Sequence, residues 1–168
     1  MIAYRNAKPD DAAAIDELFR RTFTDTFAHL YDPEDLAAFF AGFTEAGWRR
    51  EIADPGFAFR LAEDGAALAG YAKMGPVSLP VEPPGPAAEL RQLYVLQPWH
   101  GTGIARELMD WVLAEARRRD AGDLYLSVFI ENHRAQKFYA RYGFEAVGRY
   151  DFMVGRQADH DLLMRARL

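Results

Sequence analysis

The sequence predicts an α+β domain in which helices flank a central sheet. Three observations predict it. The chain has 168 residues, a length that suits one domain with one core. Half of the residues are hydrophobic and 14% are aromatic, which is enough to build that core. Apolar residues recur with both strand and helix periodicity along the chain. We therefore expect residues 1–168 to form a single domain.

The first half of the chain predicts one strand, a run of helices and a hairpin. Asp10 or Asp11 can cap the first helix, and Pro33 suits the first turn of the next. The acidic turn at residues 63–65 joins two alternating segments, as in a hairpin. The predicted elements are a strand at Ile2–Asn6, helices from about residue 10 to Phe23, from Pro33 and over 44–53, and strands at Phe57–Ala62 and Ala67–Met74.

The second half begins after the proline-rich segment Pro80–Pro86, which we interpret as a surface loop inside the same domain. Strands then alternate with helices, and two strands end the chain. The predicted elements are a strand at Glu89–Leu96, a Gly-rich turn at His100–Ala105, a helix to about Arg119, a strand at Asp123–Phe129, a helix over about His133–Tyr142, and strands near Glu145–Val154 and Asp161–Leu168.

Composition disfavours several functional classes. The net charge is −5, whereas nucleic-acid binders usually carry a basic excess. The chain has no cysteine, which excludes disulfides, thiolate metal sites and a cysteine-bound acyl group, and its four histidines lack ligand spacing. No apolar run approaches the ~20 residues that span a membrane, and the N-terminus lacks a signal pattern. We expect a cytoplasmic protein with no metal, nucleic-acid or membrane partner.

The Gly-rich turn lies between a predicted strand and a predicted helix. Gly101 and Gly103 lack a Cβ, so several backbone N–H groups can face one anion at the positive end of the helix. Taken alone, a tight strand-to-helix turn is the simpler interpretation. A P-loop is disfavoured because the turn lacks a Lys-Ser/Thr pair, and a Rossmann site because it lacks the GxGxxG spacing.

A second segment, Asn132–Phe144, predicts a capped helix. Asn132 can cap its start, and Gly143 can end it in a left-handed conformation. Tyr139 follows Asn132 by seven residues, almost two turns, so both face one side, as does the small Ala135.

These two segments together resemble the GNAT acetyltransferase family. His100–Ala105 resembles its Q/R-x-x-G-x-G/A signature, except that His100 stands at the usual Gln/Arg position. Asn132–Phe144 resembles its N-x-x-A-x-x-F-Y-x-x-x-G-F segment. Short stretches at Thr22–Phe27, Tyr31–Leu36 and His160–Met164 resemble PaiA-type bacterial polyamine acetyltransferases more loosely.

The resemblance implies the GNAT fold, an α+β fold with a mixed, largely antiparallel central sheet flanked by helices, and acetyl-CoA as cosubstrate. The family's pattern places the pyrophosphate on the Gly-rich turn, the pantetheine amides on the backbone of Leu93 and Val95, and the catalytic acid at Tyr139. The cofactor-binding residues that it implies are Leu93, Tyr94, Val95, His100, Gly101, Thr102, Gly103, Ile104, Ala105, Asn132, Ala135 and Tyr139.

The acceptor side is less defined by the sequence. Glu89 is our candidate for the base and for acceptor binding, with a solvated strand-end charge as an equal alternative and water as another proton acceptor. Phe27 and Tyr31 are candidates for the acceptor pocket, although core packing explains them as simply.

We expect an N-acetyltransferase that acts on a primary amine of a small molecule such as a polyamine, by direct attack in a ternary complex. Three alternatives stay open: acetylation of a protein lysine, acetylation of a protein N-terminus, and a CoA-binding regulatory module without turnover. A homodimer is also left open.

Overall fold

The computed structural model describes residues 1–168 and contains seven strands and five helices of eight or more residues. No helix combines the length and the apolar character needed to cross a membrane. The strands are β1 (Ile2–Asn6), β2 (Ala58–Asp64), β3 (Ala67–Gly75), β4 (Ala87–Val95), β5 (Asp123–Phe129), β6 (Glu145–Val154) and β7 (Gln157–Arg167). The helices are α1 (Ala12–Phe27), α2 (Pro33–Ala41), α3 (Glu45–Ala53), α4 (Ile104–Arg118) and α5 (His133–Ala140).

All seven strands form one sheet in the order β1-β2-β3-β4-β5-β7-β6. Neighbours pair antiparallel except β4 and β5, which run parallel because α4 crosses over between them. This arrangement confirms the predicted α+β class with a mixed, largely antiparallel sheet.

Several predicted boundaries shift because of tertiary packing. Helix α1 runs on to Phe27, whose ring packs on Phe23 with centroids 5.0 Å apart. Strand β7 begins at Gln157 because its first residues pair with the end of β6. The predicted side-chain cap of α1 is wrong: the carboxylate of Asp11 accepts hydrogen bonds from Arg5 and from the Lys8 N–H, and Asp10 bonds Arg49 instead.

Helices cover both faces of the sheet. Helix α4 packs on one face through apolar residues such as Leu108 and Val112, which are fully buried. Helices α1 to α3 cover the opposite face through an aromatic cluster centred on Phe19, whose ring centroid lies 4.5 Å from that of Phe43 and 5.6 Å from that of Trp48. The second face therefore carries a rigid wall of aromatic side chains.

Helix α2 is fastened to the turn between β6 and β7. The buried carboxylate of Asp35 accepts hydrogen bonds from the backbone N–H and the Nε of Arg156, both at 2.9 Å. Gly155 has φ +57°, and a Cβ there would lie 2.5 Å from Asp35 Oδ1 and 2.6 Å from its Cα. Only glycine allows this approach.

We expect Gly155→Ala to lower the free energy of unfolding by about 2–4 kcal/mol, because a left-handed alanine is strained and its methyl group overlaps Asp35. Gly65→Ala is the matched control, since Gly65 has φ +60° with no atom within 4 Å of a Cβ. The control should cost about 1 kcal/mol. Urea unfolding of both variants measures the difference, and equal losses would contradict the close contact between α2 and the turn.

Candidate active site

Strands β4 and β5 separate soon after they begin to pair. Their parallel pairing covers residues 87–89 of β4 and 123–125 of β5, and ends at Glu89 opposite Tyr125. Beyond that point β4 stays paired with β3, while β5 stays paired with β7 as far as Phe129 opposite Asp161. A register shift near Arg91 marks a bulge, which bends β4 further. A gap therefore opens in the middle of the sheet.

The edge of β4 that borders this gap presents backbone polar groups. The Leu96 N–H donates to the Ala69 carbonyl on β3 at 2.9 Å. The backbone N–H and C=O groups of successive residues point alternately to the two sides of a strand. Since those of Leu96 point toward β3, those of Leu93 and Val95 point into the gap. One of them has a partner, since His100 Nε2 lies 2.7 Å from the Val95 carbonyl oxygen. The backbone edge predicted from the sequence is thus present.

The Gly-rich turn forms a cradle of N–H groups. Gly101 and Gly103 have φ +78° and +91°, and a Cβ at either would meet no atom within 4 Å. The N–H groups of Gly101 and of residues 103–106 donate to no acceptor within the protein. The hydroxyl of Thr102 donates to the Trp99 carbonyl at 2.6 Å, and Ile104, the first residue of α4, is buried. The cradle thus rests on a fixed base.

A cavity of about 220 Å³ lies between α1, the end of β4 and the start of α5. The hydroxyl of Thr22 is buried there without a hydrogen-bond partner. Arg134 reaches it from α5, with Nη1 3.5 Å from His100 Nδ1. Its lining residues are Thr22, Asp25, Thr26, Val95, Leu96, Gln97, His100 and Arg134. Sequence reasoning missed the placement of Thr22 and Arg134, although both lie in segments that carry the family resemblance.

Tyr139 lies on α5, which has the predicted local structure. The side chain of Asn132 accepts a hydrogen bond from the Ala135 N–H at 3.2 Å, and Gly143 has φ +84°. The Tyr139 ring packs between Phe138 and Phe144. Burial raises the pKa of Tyr139 to about 12, so the phenol is protonated at neutral pH.

Glu89 lies at the closed end of the gap and is only 5% exposed, so it is not a solvated strand-end charge. Its Oε2 atom accepts hydrogen bonds from the Ser78 N–H at 2.7 Å and the Ser78 hydroxyl at 3.0 Å. Arg91 Nε lies 3.6 Å from the same oxygen. The protein therefore supplies two hydrogen-bond donors and one nearby cation to one oxygen of this carboxylate, and the Arg91 guanidinium itself donates to the Pro76 carbonyl.

The open end of the gap holds the two predicted pocket aromatics. Phe27 packs edge-on against Phe129 of β5, with centroids 6.2 Å apart. Tyr31 is buried, and its hydroxyl donates to the carboxylate of Asp159 on β7. Burial and this carboxylate raise the pKa of Tyr31.

Two buried acids near Tyr31 were not predicted. Asp159 and Asp161 alternate along β7 and are each 7% exposed. Burial, with a contribution from Asp159, raises the pKa of Asp161 to about 6, and the Ser127 hydroxyl offsets part of that rise. The signal that the sequence offered for this pair was two acids at alternating positions of one strand. Only the fold determines which face of the sheet they share.

Comparison with known families identifies the chain. The profile of the acetyltransferase (GNAT) family matches residues 12–144. The chain belongs to this family. An uncharacterized N-acetyltransferase of Mycobacterium tuberculosis is 33% identical over 155 residues, which cover 92% of this chain and 96% of the relative. A relative from Lactobacillus delbrueckii, also described as an uncharacterized N-acetyltransferase, is 28% identical over 151 residues, covering 89% and 87%.

Solved structures show the same fold. PaiA N-acetyltransferase from Thermoplasma acidophilum, solved in complex with coenzyme A, superposes with a TM-score of 0.80 at 18% identity and covers 100% of this chain and 99% of its own. A ribosomal-protein-alanine N-acetyltransferase from Brucella melitensis superposes with a TM-score of 0.75 at 25% identity, covering 99% of each chain.

This GNAT protein is an acetyl-CoA-dependent N-acetyltransferase, and the residues at the gap fit that cosubstrate. The free N–H groups of the cradle suit a pyrophosphate. The polar groups of Leu93 and Val95, with the unpartnered Thr22 hydroxyl nearby, suit the amides of the pantetheine arm. When bound, acetyl-CoA supplies the activated acetyl group as a thioester.

We expect Gly103→Val to weaken coenzyme A binding at least tenfold, because its side chain would occupy the open side of the cradle and strain a left-handed residue. Gly65→Val is the control: it imposes similar backbone strain in a hairpin turn outside the cradle and should leave affinity within about twofold. Calorimetry at a temperature where both variants are folded measures the dissociation constants. Unchanged affinity in Gly103→Val would remove the turn from the cofactor site.

Proposed function

We propose that this enzyme acetylates a primary amine of a small, cationic molecule, with polyamines as the candidate class. The observation that carries the proposal is the pair of buried carboxylates, Asp159 and Asp161, at the open end of the gap. They lie beside the aromatic residues Phe27 and Tyr31. Carboxylates and aromatic faces both attract ammonium groups. A neutral or anionic acceptor would gain nothing from this charge.

The enclosure of the acceptor side favours a small molecule over a peptide. Tyr31 ties the segment between α1 and α2 to β7 through Asp159, and Asp35 ties α2 to the β6–β7 turn through Arg156. The segment before β4 adds to this enclosure, because Leu79 packs against Tyr125 and Leu163 on the same face of the sheet. A peptide would need an open groove across these contacts. The Brucella relative's name refers to a protein acceptor, so peptides belong in any test.

In the proposed mechanism the acceptor amine attacks the acetyl group directly. The chain has no cysteine that could carry the acetyl group between two half-reactions. The cradle and the β4 edge hold acetyl-CoA so that its acetyl group lies in the gap, which supplies proximity and orientation. Tyr139, which is protonated at neutral pH, gives a proton to the departing sulfur.

Glu89 contributes negative charge at the closed end of the gap. Two hydrogen bonds from Ser78 and the Arg91 cation engage its Oε2, and Oε1 is the oxygen left for an acceptor group or a water molecule. Glu89 and water were the two proton acceptors predicted from the sequence. In our proposal Glu89 binds and orients the acceptor, and it remains a candidate base.

The cytoplasmic location and a homodimer both remain predictions. The outer strand β6 is an edge of the sheet and exposes about half of Val147 and Met153. Natural proteins often cover such an edge with a second copy or protect it with charge. The exposed apolar residues make β6 the part of the surface where a dimer interface would be sought.

An acceptor panel tests the proposed function. It comprises spermidine, 1,5-diaminopentane, a peptide with an N-terminal alanine and a peptide with one internal lysine, each with acetyl-CoA and thiol release as the readout. We expect the two small amines to be acetylated with much higher kcat/KM than either peptide. Turnover of peptides alone would support a protein acetyltransferase. Calorimetric binding of coenzyme A without any turnover would support a regulatory module.

We expect Tyr139→Phe to lower kcat by about 10- to 100-fold, the low end of general acid catalysis, because a thiolate is a tolerable leaving group. Phenylalanine keeps the packing against Phe138 and Phe144, so acetyl-CoA affinity should change little. Tyr142→Phe is the matched control, because it removes a hydroxyl from the turn after the same helix. A Tyr139→Phe enzyme with wild-type kcat, where chemistry limits the rate, would make Tyr139 structural.

A further inference from the structure

Asp161 lies where the gap is open. On β7 it is opposite Phe129, the last residue of β5, and opposite Tyr150 of β6. Side chains alternate between the faces of a strand, and Leu162 and Met164 pack into the core beneath α4. Asp161 therefore faces the other side, which is the side of α1, α2 and the acceptor pocket.

The carboxylate of Asp161 has no cationic partner in the protein, and the Ser127 hydroxyl is its one hydrogen-bonding neighbour, although the residue is only 7% exposed. Its titratable neighbours are neutral phenols and other acids. Its charge contributes to raised pKa values at Tyr31, Tyr94 and Tyr150. The groups that face this region are Tyr31, Glu89, Tyr94, Ser127, Tyr139, Tyr150 and Asp159.

Every other buried acid of the sheet or of α2 has either a cation or two hydrogen-bond donors within the chain. Asp35 is paired with Arg156, and Asp123 with Arg165 at 3.4 Å. Asp159 accepts hydrogen bonds from Tyr31 and Gln157. Glu89 accepts two from Ser78. A buried carboxylate whose one partner is a neutral hydroxyl is costly, so its presence at Asp161 points to a positively charged ligand from outside.

Asp161 and Tyr139 approach the gap from opposite faces of the sheet. Tyr139 packs against the core beneath α4, whereas Asp161 faces α1 and α2. Tyr94, on the β4 edge of the gap, lies close enough to both that each contributes to its raised pKa. A proton acceptor and a proton donor therefore stand on the two sides of the place where the acetyl group would lie.

We propose that Asp161 is the catalytic base, which binds the acceptor ammonium and takes its proton. This assignment rests on the proposed function. Asp161 accepts one proton from the ammonium, and the freed lone pair forms the C–N bond while the C–S bond breaks and its electron pair leaves on sulfur. Tyr139 protonates that sulfur, and the second proton from nitrogen restores Tyr139 through solvent. The proton on Asp161 returns to water.

The environment of Asp161 suits this role. Burial and Asp159 raise its pKa to about 6, so it is a stronger base than an ordinary aspartate and is still ionised at neutral pH. Because the base must be ionised before the ammonium binds, kcat/KM for the amine at saturating acetyl-CoA should rise with pH through about 6. Glu89 is the competing carboxylate, and any test must separate the two.

The experiment compares Asp161→Asn, Glu89→Gln and Asp123→Asn, using spermidine as the acceptor. We expect Asp161→Asn to lower kcat at least ~100-fold and to abolish the rise near pH 6, with calorimetric affinity for coenzyme A unchanged. Asp123 is the matched control: it is equally buried but paired with Arg165 at the other end of the strands. Asp123→Asn should keep the rise near pH 6 and lose thermal stability.

Thermal stability gives a readout that needs no acceptor. The folded pKa of Asp161 lies above its ordinary value of 3.8, so ionisation of this group costs stability progressively from about pH 4 and fully above about pH 6. Asp161→Asn should therefore melt at or above the wild-type temperature at pH 7.5. A structural aspartate would instead melt lower on substitution, as we expect for Asp123→Asn.

Three outcomes would overturn the inference: a lower melting temperature for Asp161→Asn, a retained rise near pH 6 in that variant, or loss of the rise in Glu89→Gln alone. Failure of the proposed function looks different. If the wild-type enzyme acetylates neither spermidine nor any other member of the panel, the acceptor assignment fails. The melting temperatures of Asp161→Asn and Asp123→Asn still decide whether the Asp161 carboxylate lacks the stabilising partner that a structural aspartate would have.

Discussion

The short pairing between β4 and β5 is the constraint on which the site depends. Three residue pairs join these strands before they separate. Backbone N–H and C=O groups need partners, so the exposed edge of β4 is both a cost to the fold and a binding surface. The bulge near Arg91 and the turn before α4 follow from the same separation, because β4 must leave the plane of β5 to reach the helix. The cofactor cradle, the backbone edge of β4 and the acceptor pocket therefore all border the same gap.

The aromatic cluster on the opposite face holds the acceptor side in place. Phe19 and Phe23 anchor α1 against α2 and α3 through several ring contacts. That packing positions the segment between α1 and α2, and polar contacts then complete the enclosure by joining Tyr31 to Asp159 and Asp35 to Arg156. Apolar burial thus provides the stability that allows several acids to be buried on one side of the sheet.

The acids around the gap differ in their surroundings more than in their chemistry. Glu89 has two donors from Ser78 and the Arg91 cation nearby, Asp159 has Tyr31 and Gln157, and Asp161 has only the Ser127 hydroxyl. Hydrogen bonds to a carboxylate favour its charged form, whereas burial without them favours the protonated form. In the proposed mechanism the acid with the weakest partner accepts the proton, while the other acids supply negative charge.

The sequence by itself determined the local elements of this protein. Asn132 and Gly143 bound α5, Gly101 and Gly103 form the turn before α4, and the element order gives the α+β class, because capping, left-handed glycine and apolar periodicity act over a few residues. Only the tertiary structure decided which side chains share the gap. Contacts between segments far apart in the chain set the partners of Glu89 and bring Arg134 close to His100. The same folding buries the Thr22 hydroxyl without a partner and places Asp161 opposite Phe129. No local pattern encodes such contacts, since they arise from strand register and from the burial that the whole sheet imposes.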